Sequence, residues 1–178
     1  MGQEKEIRYD DNCLGNPTFY GTGTQGIYFS WEGKRLTHYT DNTQSLDIAY
    51  TYNDLGLRIT KEKQGVITRY YYDGDKLINE ITGTNKKYFL YDENDYLYGI
   101  IYNGVTYYYV RDILGNINGL VDKNGTLMVK YGYDSFGNLL STTGSLSSTL
   151  GVENPFLYKG YYYDFETGLY YCNSRYYN

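Results

Sequence analysis

One phrase returns throughout this chain, and it limits what the chain can fold into more than any other feature. Tyrosines run up to an Asp or Asn, a Gly follows within a few positions, and a run of alternating apolar residues carries the chain away. The phrase reads YTYNDLGLRIT from Tyr50, RYYYDGDKLINE from Arg69, YFLYDENDYLYG from Tyr88, YGYDSFGNLLS from Tyr131 and YYYDFETGLYY from Tyr161. FSWEGKRL from Phe29 keeps the frame with Trp31, and YYVRDILGNINGL from Tyr108 keeps it with Arg in place of the motif Tyr. With Trp31, Tyr52, Tyr72, Tyr91, Tyr109, Tyr133 and Tyr163 as anchors, the intervals are 21, 20, 19, 18, 24 and 30 residues. A period of about 20 residues marks a repeat architecture in which each unit is one supersecondary element.

The physical content of the unit is a β-hairpin. Asp73-Gly74, with Lys76-Leu77-Ile78-Asn79-Glu80-Ile81 after it, is a turn followed by a strand, because Asp-Gly and Asn-Gly accept the positive φ that tight hairpin turns require. Asn103-Gly104 and Asn124-Gly125 mark the complementary turns between units. The expected fold is therefore all-β, an antiparallel meander of roughly twelve to sixteen short strands at ordinary strand lengths. Composition agrees. Tyr numbers 27 and Gly 21, while Ala occurs once, at Ala49, so long packed helices lack their usual material.

Charge and patterning exclude several function classes. Sixteen Lys and Arg against 21 Asp and Glu give a net charge of −5 with neither sign gathered into a stripe, so nucleic acid is not an expected partner. The sequence has no apolar run of membrane-spanning length, and its first residues, Met1-Gly2-Gln3-Glu4-Lys5-Glu6, are polar and do not read as a signal peptide. Cys13 and Cys172 form no CxxC motif, and their placement favours two separate thiols over one bridge between the chain ends.

The rhythm divides the chain into a hairpin array over residues 1–140, a Ser/Thr/Gly-rich stretch over 141–154 with the composition of a flexible surface loop, and a terminal repeat over 155–178. The last stretch is too short to be a domain, so one structural domain is expected in all. Its strand from Leu169 to Tyr177, guarded by little charge, reads as an exposed edge that would favour pairing between copies of the chain.

The motifs Y-D-x-x-G-x-L resemble those of the Rhs/YD-repeat family of bacterial secreted proteins, over nearly the whole chain from RYDDNCLGNP at Arg8 onward. YGYDSFGNLLS, the Gly/Ser stretch and NPFLYKGYYYDFETGLYYCNSRYYN are similar to the start of that family's Rhs-associated core segment. The resemblance implies a β-sheet that spirals into a hollow shell around a toxin polypeptide, part of a polymorphic toxin or surface protein, secreted or at the bacterial cell surface. It further implies that the chain stops before the aspartate-bearing stretch where such shells are cut from their toxins, as an excerpt or shortened relative. The expected role is structural and protein-binding, with a toxin or other polypeptide cargo, or copies of the chain itself, as partner. An aromatic-repeat module for carbohydrate or cell wall is the alternative, since exposed tyrosines stack on sugar rings.

No catalytic, cofactor or metal site is expected. Asp73, Asp92, Asp134 and Asp164 fall at equivalent places in their units, where a carboxylate caps backbone N–H groups of a turn, and Gly74, Gly115, Gly137 and Gly168 supply the turns. Equivalent positions imply equivalent environments, the reverse of what an acid/base pair needs. His38 has no nucleophile or second His beside it and reads as a surface strand residue, and Cys172 as a packed apolar side chain without a base. Asp92-Glu93-Asn94-Asp95 gathers oxygens without the spacing of a calcium loop. If these aspartates cap turns, Asp134→Asn leaves the thermal midpoint nearly unchanged and abolishes no activity. A catalytic loss on that substitution would contradict the capping role.

Overall fold

The computed structural model describes residues 4–11, 14–173 and 175–177. Fourteen strands follow one another in a single antiparallel order: β1 (Glu6–Tyr9), β2 (Pro17–Thr22), β3 (Gln25–Glu32), β4 (Arg35–Asp41), β5 (Leu46–Tyr52), β6 (Arg58–Lys63), β7 (Val66–Asp73), β8 (Lys76–Thr82), β9 (Asn85–Tyr91), β10 (Leu97–Tyr102), β11 (Val105–Arg111), β12 (Ile117–Val121), β13 (Leu127–Tyr133) and β14 (Leu139–Thr143). A one-turn helix α1 (Leu150–Glu153) and a 3-10 turn (Tyr158–Gly160) lead to a second sheet of β15 (Tyr162–Asp164), β16 (Leu169–Tyr171) and β17 (Tyr176–Tyr177). The all-β meander read from the repeat is the observed fold. It holds 17 strands among the described residues, more than the expected range, because the terminal unit breaks into three short pieces.

Two kinds of turn build the meander. Two-residue turns join Lys63 to Val66 and Tyr102 to Val105. Their central residues Gln64-Gly65 and Asn103-Gly104 all have positive φ, the geometry whose twist matches that of the flanking strands. The second kind is longer and carries the motif at Asn53, Asp92, Asp112 and Asp134. In it the backbone N–H of Asp112 donates to Asn116 O at 3.0 Å and that of Gly115 to Asp112 O at 3.1 Å, a pattern repeated at Asn53, Asp92, Asp122 and Asp134. The residue at the Gly place has positive φ, and the register of the hairpin shifts by one beside Tyr52, Arg111 and Tyr133, a bulge that increases local twist.

The described chain groups into two compact units, Met1–Tyr70 with Asn173–Arg175 and Tyr71–Cys172 with Tyr176–Asn178. In the first, Leu36, Tyr39, Ile48 and Tyr50 are buried on one side of their strands. In the second, Phe89, Ile100, Leu120, Val129 and Tyr131 are.

Two sequence expectations change at the C-terminal end. Residues 141–154 are not one surface loop, since β14 runs through Thr143 and tight turns then lead into α1, where Leu150 and Asn154 are both 0% exposed. Backbone turn bonds run there from Thr149 N to Leu146 O and from Ser147 N to Gly144 O, and of the apolar side chains Leu150 is buried, Leu146 half-buried and Val152 exposed. Nor is Leu169–Tyr177 one strand. β16 pairs with β15 on one side and β17 on the other, so its backbone is paired along both edges, and the outer edge of this sheet falls to the two-residue β17.

The turn geometry makes a direct test available. A Cβ at Gly104 or Gly125 would meet no atom within 4 Å, so any cost of substitution comes from φ alone, +76° and +79°. Gly104→Val and Gly125→Val should each destabilise by at least about 1 kcal/mol in urea melts. Unchanged midpoints for both would contradict the register described here.

Candidate functional site

Five residues at the motif place, Trp31, Tyr52, Tyr91, Arg111 and Tyr133, each tie their unit to the one before it. Trp31 Nε1 donates to the Pro17 carbonyl at 2.7 Å, Tyr52 Oη to Leu36 O at 2.7 Å, Tyr91 Oη to Leu77 O at 3.0 Å and Tyr133 Oη to Ile117 O at 2.6 Å. Leu36, Leu77 and Ile117 are the apolar residues with which the preceding hairpin leaves its turn. In the unit after Tyr91 that place belongs to Arg111, not to Tyr109, because Arg111 Nη2 donates to Leu97 O at 2.9 Å and Nη1 to Gly115 O at 3.0 Å. Anchoring on Arg111 in place of Tyr109 turns the uneven intervals of 18 and 24 into 20 and 22, which is the sequence signal that a search for tyrosine passes over. Tyr72 is half-buried in β7, and Tyr163 in β15 sits edge-on to Phe165 at 4.9 Å.

The motif carboxylates do not share one environment. Asp92, Asp112, Asp122 and Asp134 each receive two backbone N–H groups on Oδ1, from the second and fourth residues onward, at 2.8–3.0 Å. The Asn138 side-chain amide first, and the backbone N–H groups of Asn138, Phe136 and Gly137 with it, hold the Asp134 carboxyl below its ordinary value against a slight desolvation. Asp73 ends β7 before the short turn at Gly74, and its carboxylate lies 3.8 Å from Lys76 Nζ. Asp164 is buried, and its main-chain carbonyl accepts from Thr167 and Gly168. The difference comes from turn length, which the motif leaves free. Gly137 does more than turn, since a Cβ there would come within 2.5 Å of the Tyr158 ring.

The chemistry concentrates on the buried face of β8 to β13, within the second unit. Cross-strand pairs Glu80 with Lys87, Phe89 with Ile100, Leu120 with Val129 and Tyr131 with Thr142 set its surface. The stretch from Gly151 to Tyr162 lies on it. The Phe156 ring meets Phe89 edge-on at 4.9 Å, and Ile117 N donates to Leu157 O at 3.1 Å. Fully buried Asn154 accepts from Tyr109 Oη at 2.8 Å and donates to Phe156 O at 2.9 Å and Tyr131 Oη at 3.2 Å, while Tyr131 Oη donates to Gly151 O at 2.9 Å. Lys87 Nζ binds Glu80 Oε1 at 2.7 Å, Glu153 Oε2 at 2.9 Å and Glu153 O at 2.9 Å, and Tyr162 Oη donates to Glu80 Oε2 at 2.8 Å. Burial opposes the charge on Lys87, yet Glu80 and Glu153 outweigh it and leave the pKa raised. Neither Glu80, Lys87, Glu153 nor Asn154 is evident as a site in the sequence. Lys87 alone carried a signal, the same strand parity as Phe89.

The opposite face carries aromatic groups in water. Tyr98 and Tyr108 are 41% and 38% exposed, with rings stacked at 6.3 Å and an interplanar angle of 17°. His38, on β4, contacts Asp47 Oδ1 at 2.9 Å. Cys172 Sγ lies 4.0 Å from Tyr170 O, and the expectation for Cys13 falls outside the described residues. Among the described residues no three His, Cys, Asp or Glu side chains gather as metal ligands, and no helix is long and apolar enough to cross a membrane.

Comparison with known proteins agrees with the repeat. The Teneurin YD-shell family profile matches residues 23–178. The chain is 36% identical over 180 residues to the tRNA3(Ser)-specific nuclease WapA of Bacillus spizizenii, covering 98% of this chain and 7% of that protein. The tRNA nuclease WapA of Bacillus subtilis (strain 168) is likewise 36% identical over 98% of this chain and 7% of its own length. The chain thus spans a small fraction of the curated relatives it matches. Among solved structures, the crystal structure of TcdB2-TccC3-TEV aligns with a TM-score of 0.62 and 16% identity over 85% of this chain and 8% of that one. TcdB2-TccC3-Cdc42 aligns with a TM-score of 0.61 and 17% identity over 86% of this chain and 8% of that one. At these identities the likeness is one of fold.

The buried phenols predict an alkaline limit. Desolvation, with Asp41 adding to it, pushes Tyr39 up to about 12, and desolvation, with Asp75 adding and Arg111 opposing, does the same for Tyr91. Their ordinary value in an unfolded chain is 10.0. Folded values raised in this way leave stability whole below pH 10 and remove it as pH rises toward about 12. Urea midpoints should therefore fall steeply across that window, and phenolate absorbance should show a late group of tyrosines that titrates only with unfolding. A flat midpoint to pH 12 would refute the burial of these hydroxyls.

Proposed function

The chain belongs to the Rhs/YD-repeat family in its YD-shell form, and from that premise we propose that it is a wall segment whose buried face lies against polypeptide, as in a shell that encloses or presents a toxin. One observation carries the reading: the face of β8 to β13 holds a peptide stretch through backbone and side-chain bonds together, from Ile117 N to Leu157 O, from Tyr109 Oη to Asn154 Oδ1 and from Asn154 Nδ2 to Tyr131 Oη. A sheet face that pairs with both peptide groups and side chains is suited to polypeptide more than to a small metabolite. The carboxylates of Asp92, Asp112, Asp122 and Asp134 are engaged by turn N–H groups, which suits a structural role for the segment. In this reading the whole protein acts outside the cytoplasm, secreted from or displayed on a bacterial cell.

The stacked pair Tyr98 and Tyr108 supports a second reading, in which the water-facing side binds sugar rings of the cell wall. Titration calorimetry separates the two. A Leu150→Ser/Phe156→Ser chain, with its resident peptide loosened, should take up a reduced, carboxymethylated globular protein with saturable heat more strongly than the unchanged chain. Neither should bind choline or cell-wall oligosaccharide. Saturable sugar binding that disappears in Tyr98→Ala/Tyr108→Ala would transfer the conclusion to the second reading.

A further inference from the structure

On the buried face of the second unit, most contacts are indifferent to register. Phe89, Ile100, Leu120 and Val129 would accept almost any apolar side chain at roughly similar gain, because hydrophobic burial scales with area and has no direction. Glu80 and Lys87 differ. They are 3% and 6% exposed, and a charge so placed is costly unless its hydrogen-bonding capacity is filled.

The sheet by itself fills it only partly. Of the three contacts to Lys87 Nζ, Glu80 supplies one, at 2.7 Å, while the side chain and main-chain carbonyl of Glu153 supply the other two, each at 2.9 Å. Glu80 in turn keeps its second oxygen for Tyr162 Oη at 2.8 Å. Each charge of the wall is thus completed by the peptide lying on it. One residue further along, Asn154 fills a second polar place between Tyr109 and Tyr131. A slip of the peptide by one residue would set Val152 or Asn154 against the ammonium and leave it with a single carboxylate.

We propose that Lys87, held by Glu80, is a specificity-determining residue of this face: it selects a peptide in which a carboxylate immediately precedes an asparagine, and Glu153-Asn154 is the resident example. The inference rests on the reading of the face as a polypeptide-binding wall, and it names the chemistry that such a wall accepts. An acidic residue followed by Asn and then, after Pro155, by an aromatic is admitted. A peptide with a neutral or basic residue at the first place is refused even when its apolar side chains fit. The ion pair here sets register, a role that buried charges are known to take at interfaces.

Hydrogen exchange on the full chain tests it, with the Ile117 amide, bonded to Leu157 O, as the reporter of docking and the β9–β10 amides as the reporter of the sheet. Glu153→Lys alters the peptide and leaves the wall untouched. It should speed exchange at Ile117 at least tenfold while β9–β10 stays protected. Glu153→Lys with Lys87→Glu restores a cation between two carboxylates, with the cation now on the peptide, and should bring the Ile117 rate back to within about threefold of the unchanged chain. Protection retained in Glu153→Lys, or no recovery in the folded double variant, would overturn the proposal. If the double variant does not fold, Glu153→Leu decides: a face that reads charge loses Ile117 protection, whereas a face that reads only apolar fit keeps it. These arms use the resident peptide alone, so their failure removes the selection rule and leaves the wall itself to be judged by its binding titration.

Discussion

Everything in this chain hangs on how a hairpin turn satisfies its own backbone. A turn that projects from a sheet leaves N–H groups with no ladder partner, and an unpaired polar group carries a penalty of its own. The motif carboxylate or carboxamide answers this locally: Asp92, Asp112, Asp122 and Asp134 each accept two such groups on one oxygen, and Asn53 accepts the Leu57 N–H at 2.9 Å. Because the bonds span four residues at most, they constrain the turn without the help of any distant contact. Aspartate in this chain is structural punctuation, and its recurrence reflects geometry.

A row of hairpins still needs a reason to stay in register, since strands can slip where their faces do not specify a pairing. The hydroxyls of Tyr52, Tyr91 and Tyr133 supply one, each reaching a single carbonyl on the exit strand of the hairpin before. Leucine or phenylalanine at those positions would bury comparable area without naming a partner. This accounts for the preference for tyrosine, and for the ability of Trp31 and Arg111 to replace it. Both are N–H donors of similar reach, and the requirement is a donor at the end of a flat, packable group. Arg111 adds its own aromatic setting, with its guanidinium 5.1 Å from the Tyr96 ring centroid and 5.8 Å from that of Tyr109.

The buried face adds a different order of contact. Turn and ladder bonds join residues about one unit apart or less, whereas Tyr162 reaches Glu80 across 82 positions and Glu153 reaches Lys87 across 66. A repeat satisfies itself with near neighbours and gives its faces no identity. Departures from the repeat, such as the stretch between Thr143 and Tyr162, give this unit a face with a defined occupant.

The sequence alone determined the architecture, because hairpins are written in short-range chemistry: Asp-x-x-Gly spacing, Asn-Gly pairs and near absence of Ala each constrain the backbone within a few residues. Anchoring on tyrosine passes over Arg111, where the donor changes type while the spacing holds. Tertiary structure alone decided what the C-terminal quarter does. Ser141–Asn154 has the composition of a loop because turn-forming residues outnumber the rest, yet Leu150 and Asn154 are among the most buried residues in the chain. Composition averages over a stretch, while burial is settled by single side chains and by the surface that happens to face them. The meeting of Glu153 with Lys87 was equally beyond reach, since the pairing of two charges far apart in the chain depends on where the fold returns, and no local rule carries that information.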